Sequence, residues 1–112
     1  MAYEVNGRTI ETDANGYLTD PNAWDEEVAK VIAESEGIEL TPEHWDVIHY
    51  LREEYFDNNQ SQPNDREIIK FLSKKWGRKI TSKEAYKLFP LKPSKQACKI
   101  AGLPETRRKG GY

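Results

Sequence analysis

Apolar residues recur at three- and four-residue spacings through most of the chain after residue 20, whereas the first nineteen residues read as short alternating stretches. "YEVNGRTIET" predicts two short strands around Asn6-Gly7, a residue pair suited to the tight hairpin turn in which both central residues take positive φ. "ANGYLTD" adds a second Asn-Gly turn and a third short strand at Tyr17-Leu18, which makes a small β-meander. Such a meander is not stable alone and has to lie on helices. A helix is then expected from the Asp20 cap and Pro21, with Trp24, Val28, Val31 and Ile32 facing inward and Gly37 ending it. Thr41-Pro42 opens a second helix whose inner stripe is Trp45, Ile48, Leu51 and Tyr55. The polar stretch "DNNQSQPN" (57–64) is a loop. A third helix covers about 64–76, buries Ile68, Ile69, Leu72 and Trp76, and stops at Gly77. Thr81 and Glu84 form a capping box that opens a short helix to about Leu88, where Phe89-Pro90 halts it. Pro93 starts a last short helix, "SKQACKIA", closed by Gly102.

The pattern predicts one α+β, mainly α domain over 1–112. A β-meander spans 1–19 and an array of about five helices spans 20–104. Residues 105–112 form a tail with Tyr112 as its sole apolar anchor, expected to be mobile. The composition, 37% hydrophobic and 32% charged, fits a globular chain of this size. No apolar run is long enough for a transmembrane helix, and the N-terminus lacks the pattern of a signal peptide. Both observations point to a cytoplasmic protein, as does the single cysteine, which cannot close an internal disulfide or build a cysteine zinc site.

The net charge of −2 conceals a strong asymmetry. Residues 1–65 hold three cations (Arg8, Lys30, Arg52) against sixteen carboxylates, a formal −13, and residues 66–112 hold fourteen cations against three, a formal +11. The two halves can attract each other within the fold, or the basic half can face a polyanion or an acidic protein partner.

Candidate chemistry is sparse. Cys98 is flanked by Lys95 and Lys99, cations that would stabilise a thiolate. It also sits beside Ala97 and Ile100, where a free cysteine packs as a small apolar residue, so a working thiol and a packed one both remain open. His44 and His49 are five apart on one helix and point to different faces, so they make no metal pair. No nucleotide-binding or nucleophile-elbow motif occurs, and no metal or cofactor is expected. "DREIIKFLSKKWGRKITSKEAYKLF" has a helix-turn-helix outline carrying Lys70, Lys74, Lys75, Arg78, Lys79, Lys83 and Lys87. With Arg107, Arg108 and Lys109 of the tail, these are the candidates for contact with DNA or an acidic protein.

Three stretches, "GYLTDPNAWDEEVA" (16–29), "LTPEHWDVIHYLREEY" (40–55) and "YKLFPLKPSKQACKIAGLP" (86–104), resemble the DsrC/TusE family over nearly the whole chain. The family comprises the gamma-subunit protein associated with dissimilatory sulfite reductase and a relay protein of tRNA thiolation. The resemblance implies a small β-meander on about five helices, a flexible C-terminal arm, and sulfur-relay or sulfite-reductase proteins as partners. It also implies two working cysteines in full DsrC proteins, one in the K-Q-A-C segment and one near the end of the arm with ten residues between them. TusE-type members keep the arm cysteine and usually lack the other. Cys98 matches the K-Q-A-C cysteine. The arm position at that spacing is Lys109 and the penultimate residue is Gly111, so the arm carries no thiol. Lys92 stands where the family has a glycine, a residue that permits turn conformations others avoid.

Two functional expectations follow. One is a sulfur-metabolism accessory protein with Cys98 as its sulfur or redox group, a partner protein and not an independent enzyme. The other is a regulatory or docking protein that has lost sulfur carriage and binds DNA or an acidic protein through its basic half.

Overall fold

The structure is a computed structural model that describes residues 2–105. Arg107, Arg108, Lys109 and Tyr112 of the expected tail lie outside the described residues. Strands β1 (Ala2–Val5) and β2 (Arg8–Glu11) pair antiparallel with Val5 opposite Arg8, so Asn6 and Gly7 alone make the turn, at φ 50° and 81°. The expected third strand is reduced to a single bridge between Thr12 and Leu18. Asp13 replaces the rest of the ladder by accepting from the amides of Asn15 and Tyr17. Val5, Ile10 and Leu18 are buried and fasten this hairpin to the helices, at about 2 kcal/mol for each large side chain.

The helix expected from Asp20 is split in two. Asp20 caps only a 3-10 turn, Pro21–Ala23, and Trp24 is extended at φ −81°, ψ 143°. Helix α1 (Glu26–Ser35) starts afresh from Asp25, whose carboxylate accepts from the Val28 amide at 2.9 Å. That amide bond and Arg8, 2.8 Å away, hold the Asp25 carboxyl below its usual pKa. The break frees Trp24 to turn toward the far end of the chain.

Helices α2 (Pro42–Asp57), α3 (Asp65–Trp76), α4 (Ser82–Leu88) and α5 (Pro93–Ile100) follow where the caps place them. Asn64 and Glu67 form a reciprocal box at the start of α3, and Thr81 caps α4 through the Glu84 amide. Helix α5 packs against each of the other four and buries Pro93, Ser94, Gln96, Ala97, Cys98 and Ile100. Among the described residues, ion pairs join the acidic and basic halves at Lys92–Asp65, 2.9 Å, and at Lys99–Glu36, 3.0 Å, and both involve α5 or its first cap. All four side chains are largely withdrawn from solvent, so these pairs are screened less than surface ones.

His44 lies on the buried face of α2, while His49 is exposed and 3.7 Å from Glu26. The Nδ1 atom of His44 accepts from the Thr41 amide at 3.0 Å, so Nε2 carries the proton and donates to the Leu88 carbonyl at 2.8 Å. Burial holds the His44 pKa below its ordinary 6.5. The unfolded chain therefore takes up this proton first. The stabilisation is complete above pH 6.5 and is lost as pH falls below it, until the folded His44 protonates in turn. Denaturant melts between about pH 7.5 and pH 5.5 should show stability falling by up to about 1.4 kcal/mol per pH unit. The slope should be smaller in His44→Gln.

Candidate functional site

Helix α5 is short, and both of its ends are fixed by residues distant in sequence. At its start Asp65 accepts from the Ser94 amide at 2.7 Å and from Lys92 Nζ at 2.9 Å, which places negative charge at the positive end of the helix dipole. Lys92 itself sits at φ 134°, a backbone region that side-chain-bearing residues rarely occupy. The Asp65 carboxylate beside it raises the Lys92 pKa. The strain at Lys92 is on the order of 1–3 kcal/mol. Lys92→Gly removes both the strain and the ion pair, whereas Lys92→Ala removes the pair and keeps the strain. Lys92→Gly should therefore be the more stable of the two variants by about 1–2 kcal/mol in chemical denaturation.

At the other end, the Ile100 carbonyl accepts from Trp24 Nε1 at 2.9 Å and the Ala101 carbonyl accepts from Arg52 Nη1 at 2.7 Å. Arg52 Nη2 donates to the Pro21 carbonyl at 3.1 Å, and its guanidinium stacks 4.1 Å from the Trp24 ring. Arg52 thus ties the last turn of α5 to the 3-10 turn. Burial lowers its pKa relative to a solvated arginine. Past Gly102, at φ 71°, the Leu103 amide donates back to the Cys98 carbonyl at 3.1 Å. Gln62 Nε2 then holds the Pro104 carbonyl at 2.8 Å, and Asn15 Nδ2 holds Glu105 Oε1 at 2.8 Å.

Cys98 lies between these two ends with 0% exposure, in the main core cluster. Tyr17 is its polar neighbour. The Tyr17 hydroxyl donates to the Lys95 carbonyl at 3.3 Å, and burial raises its pKa, helped by negative charge at Glu105, Cys98, Glu36 and Asp13. The ammonium of Lys99 is 3.0 Å from Glu36 Oε2 and 5.9 Å from the Tyr17 ring. Gln96, also buried, donates to Glu36 Oε1 at 3.2 Å and accepts from the Leu91 amide at 3.0 Å. Lys95 is half-buried. The structure therefore gathers Cys98, Lys99 and the backbone of Lys95 around Tyr17. Solvent does not reach the thiol in this arrangement, so a reagent reaches Cys98 only when the structure around it opens.

The remaining candidates are dispersed. Lys70, Lys74, Lys75, Arg78, Lys79, Lys83 and Lys87 are all exposed on α3, α4 and the turn between them, and Arg78 is paired with Glu84 at 2.8 Å. That contact holds the Glu84 carboxyl below its usual pKa. Among the described residues no cluster of His, Cys, Asp or Glu is arranged to hold a metal. No helix there is long and apolar enough to cross a membrane.

The sequence reading did not single out Tyr17, Trp24, Glu36, Arg52, Asp65 or Gln96 as parts of this site. Arg52 had a signal, as one of three cations in an otherwise acidic half. The others act across separations of up to 78 residues, as Tyr17 does toward Lys95, and periodicity is blind to such contacts.

The chain matches the family model described as DsrC like protein over residues 4–108. It is 52% identical over 103 residues to a sulfurtransferase TusE of Pectobacterium atrosepticum, covering 91% of this chain and 94% of that one. The TusE of Escherichia coli K12 is 49% identical over 100 residues, covering 88% of this chain and 91% of the relative. Among solved structures, the oxidized gamma-subunit of the dissimilatory sulfite reductase (DsrC) from Archaeoglobus fulgidus superimposes with a TM-score of 0.88 at 38% identity, covering 96% of this chain and 98% of that one. The DsrC of Allochromatium vinosum does so with a TM-score of 0.86 at 44% identity, covering 96% of each chain. These names speak of sulfur chemistry, so the DNA-binding reading of the α3 and α4 cations is not carried forward.

Proposed function

The chain belongs to the DsrC/TusE family of sulfur-metabolism accessory proteins, and from that premise we propose that it handles sulfur through Cys98, with sulfur-relay or sulfite-reductase proteins as its partners. The observation that carries this reading is that the sole thiol of the chain sits at the centre of α5, inside a stretch shared with the family. The proposed step is attack of the Cys98 thiolate on the terminal sulfur of a donor persulfide. The donor's sulfur–sulfur bond breaks, a sulfur–sulfur bond to Cys98 forms, and the donor leaves as a thiolate that takes up the proton lost by Cys98. Lys99 and Lys95 are the cations nearest in sequence to the anion formed, and stabilising it is their proposed role.

The burial of Cys98 makes opening of the α5 end the first event of the proposed cycle. The test is intact mass after the reduced, folded protein meets a small persulfide donor, followed by peptide mapping. One added sulfur on the peptide carrying Cys98, absent from Cys98→Ser, supports the reading. Sulfur that enters only after denaturant has unfolded the chain defeats it and leaves Cys98 as packing.

A further inference from the structure

The segment that forms α3, α4 and the turn between them keeps a large unbalanced charge. Residues 66–87 hold eight cations against two carboxylates, a formal +6. Among the described residues, the ion pairs that reach it from the acidic half lie at Lys92 and Lys99, beyond this segment, and the pair within it is Arg78–Glu84. Attraction between the two halves therefore does not account for these cations. Like charges at this density repel one another unless an external anion faces them.

The same segment holds a cleft. It opens between the start of α3 and the chain leading into α4, with a volume of about 730 Å³. Ile69 and Ile80 are its apolar lining, and Arg66 and Lys79, both exposed, line it as cations. No ion pair among the described residues uses Arg66 or Lys79. Asp65 is the acidic residue of the lining, and its carboxylate is already engaged by the Ser94 amide and by Lys92 Nζ. From Arg66 the positive charge continues along one exposed side of α3 to Lys70 and Lys74, at four-residue intervals. The walls are fixed beforehand. The Ile80 amide donates to Ser73 Oγ at 3.0 Å, and the reciprocal box of Asn64 and Glu67 sets the start of α3. A preformed cleft costs little ordering on binding.

We propose that this cleft docks an acidic segment of a partner protein, with one apolar side chain against Ile69 and Ile80 and carboxylates on Arg66 and Lys79. The charges select an acidic occupant. The isoleucines select a protein over a nucleic acid, because a phosphate backbone gains nothing from them and the lining has no aromatic ring on which a base could stack. Residues 106–112 of the chain itself carry three cations and no acidic side chain, the wrong charge for this cleft. This inference concerns a partner surface and is independent of any sulfur chemistry at Cys98.

The test is a nuclear magnetic resonance titration of the isotope-labelled full chain with a short synthetic peptide in which one leucine stands between glutamates. Peptide is added to about 1 mM at low ionic strength and again in about 0.5 M salt. Amide signals of Arg66, Ile69 and Lys79 to Ser82 should shift, and salt should weaken the binding. Replacing the peptide's leucine by serine should weaken it about tenfold. Arg66→Glu/Lys79→Glu should do the same with helix content unchanged, and should bind instead a peptide with lysines in place of the glutamates. No shift at the highest concentration in low salt overturns the proposal. So do shifts centred elsewhere, or binding indifferent to the loss of the leucine. A single-stranded oligonucleotide that moves the same amides at lower concentration than the peptide would assign the surface to nucleic acid and overturn the proposal. Sedimentation of the chain alone checks the remaining occupant: self-association abolished by Arg66→Glu/Lys79→Glu would put a second copy in the cleft, and overturns the proposal too.

Discussion

Replacing Gly102 by alanine should cost the fold about 2–5 kcal/mol, the largest loss expected from a single methyl group in this chain. Two separate terms make the estimate. The residue sits at φ 71°, where a β-carbon costs on the order of 1–2 kcal/mol. A β-carbon there would also stand 2.7 Å from both Cβ and Cγ of Trp24, well inside contact distance. Trp24 cannot swing aside at low cost, because its indole nitrogen is bound to the Ile100 carbonyl and the Arg52 guanidinium stacks on its ring. Overpacking of this kind costs typically about 1–3 kcal/mol. Gly37→Ala separates the terms, since Gly37 has φ 74° and open space where its β-carbon would be. Urea denaturation should place Gly37→Ala about 1 kcal/mol below the parent, with Gly102→Ala falling clearly further. Equal losses would mean that Trp24 yields, and that the end of α5 is looser than its hydrogen bonds indicate.

Those hydrogen bonds also explain which parts of the fold were legible in the sequence. Helices α2 to α5 announce themselves through local signals: Thr41-Pro42, Asn64 with Glu67, Thr81 with Glu84, and Pro93. Each of those signals acts within one turn, so the sequence contains it whole. The first helix misleads because Trp24 and Val28 are four apart, the spacing of a helical face. Both bury apolar surface, yet for different reasons: Val28 faces the core from α1, and Trp24 leaves the helical path to cap α5. Two successive aspartate caps, Asp20 and Asp25, were the hint that the segment is divided. The third strand fails for a similar reason, since Asp13 binds the amides of Asn15 and Tyr17 where further strand pairing would have run.

The surroundings of Cys98 were less legible. A packed cysteine could be inferred from Ala97 and Ile100 beside it, and the main core does enclose it. The partners of α5 could not be inferred, because they are scattered along the chain: Trp24 before α1, Glu36 just after it, Arg52 on α2 and Asp65 on α3. Glu36 meets Lys99 across 63 residues and Arg52 meets Ala101 across 49. The charge asymmetry of the sequence has an internal expression in these contacts. Of the described ion pairs, those joining the acidic and basic halves are also the least exposed. Most of the remaining charge stays on the surface, where exposed pairs contribute about 0–1 kcal/mol each.

Arg52→Ala is the second large effect expected, and its consequence reaches Cys98. The guanidinium satisfies two carbonyls at once, Ala101 at 2.7 Å and Pro21 at 3.1 Å, and stacks on Trp24. Truncation leaves both carbonyls without this donor, at about 1 kcal/mol or more each, and removes a cation–π contact of about 0.5–2 kcal/mol. A total loss of about 2–4 kcal/mol follows. Arg52→Lys should recover less than half of it, because an ammonium cannot present two donors in the planar fork that spans both carbonyls. The loss is local in origin, since Ala101 lies three residues after Cys98 and the segment it anchors closes the end of α5. Opening of that end should therefore become easier by more than the global stability falls in proportion. Alkylation of Cys98 in native buffer reads this directly. The rate should rise about tenfold or more in Arg52→Ala under conditions where circular dichroism shows the chain still folded. A rate that rises only in step with the globally unfolded fraction would mean that Cys98 is released by whole-domain unfolding. Arg52 would then stabilise the fold without gating the thiol.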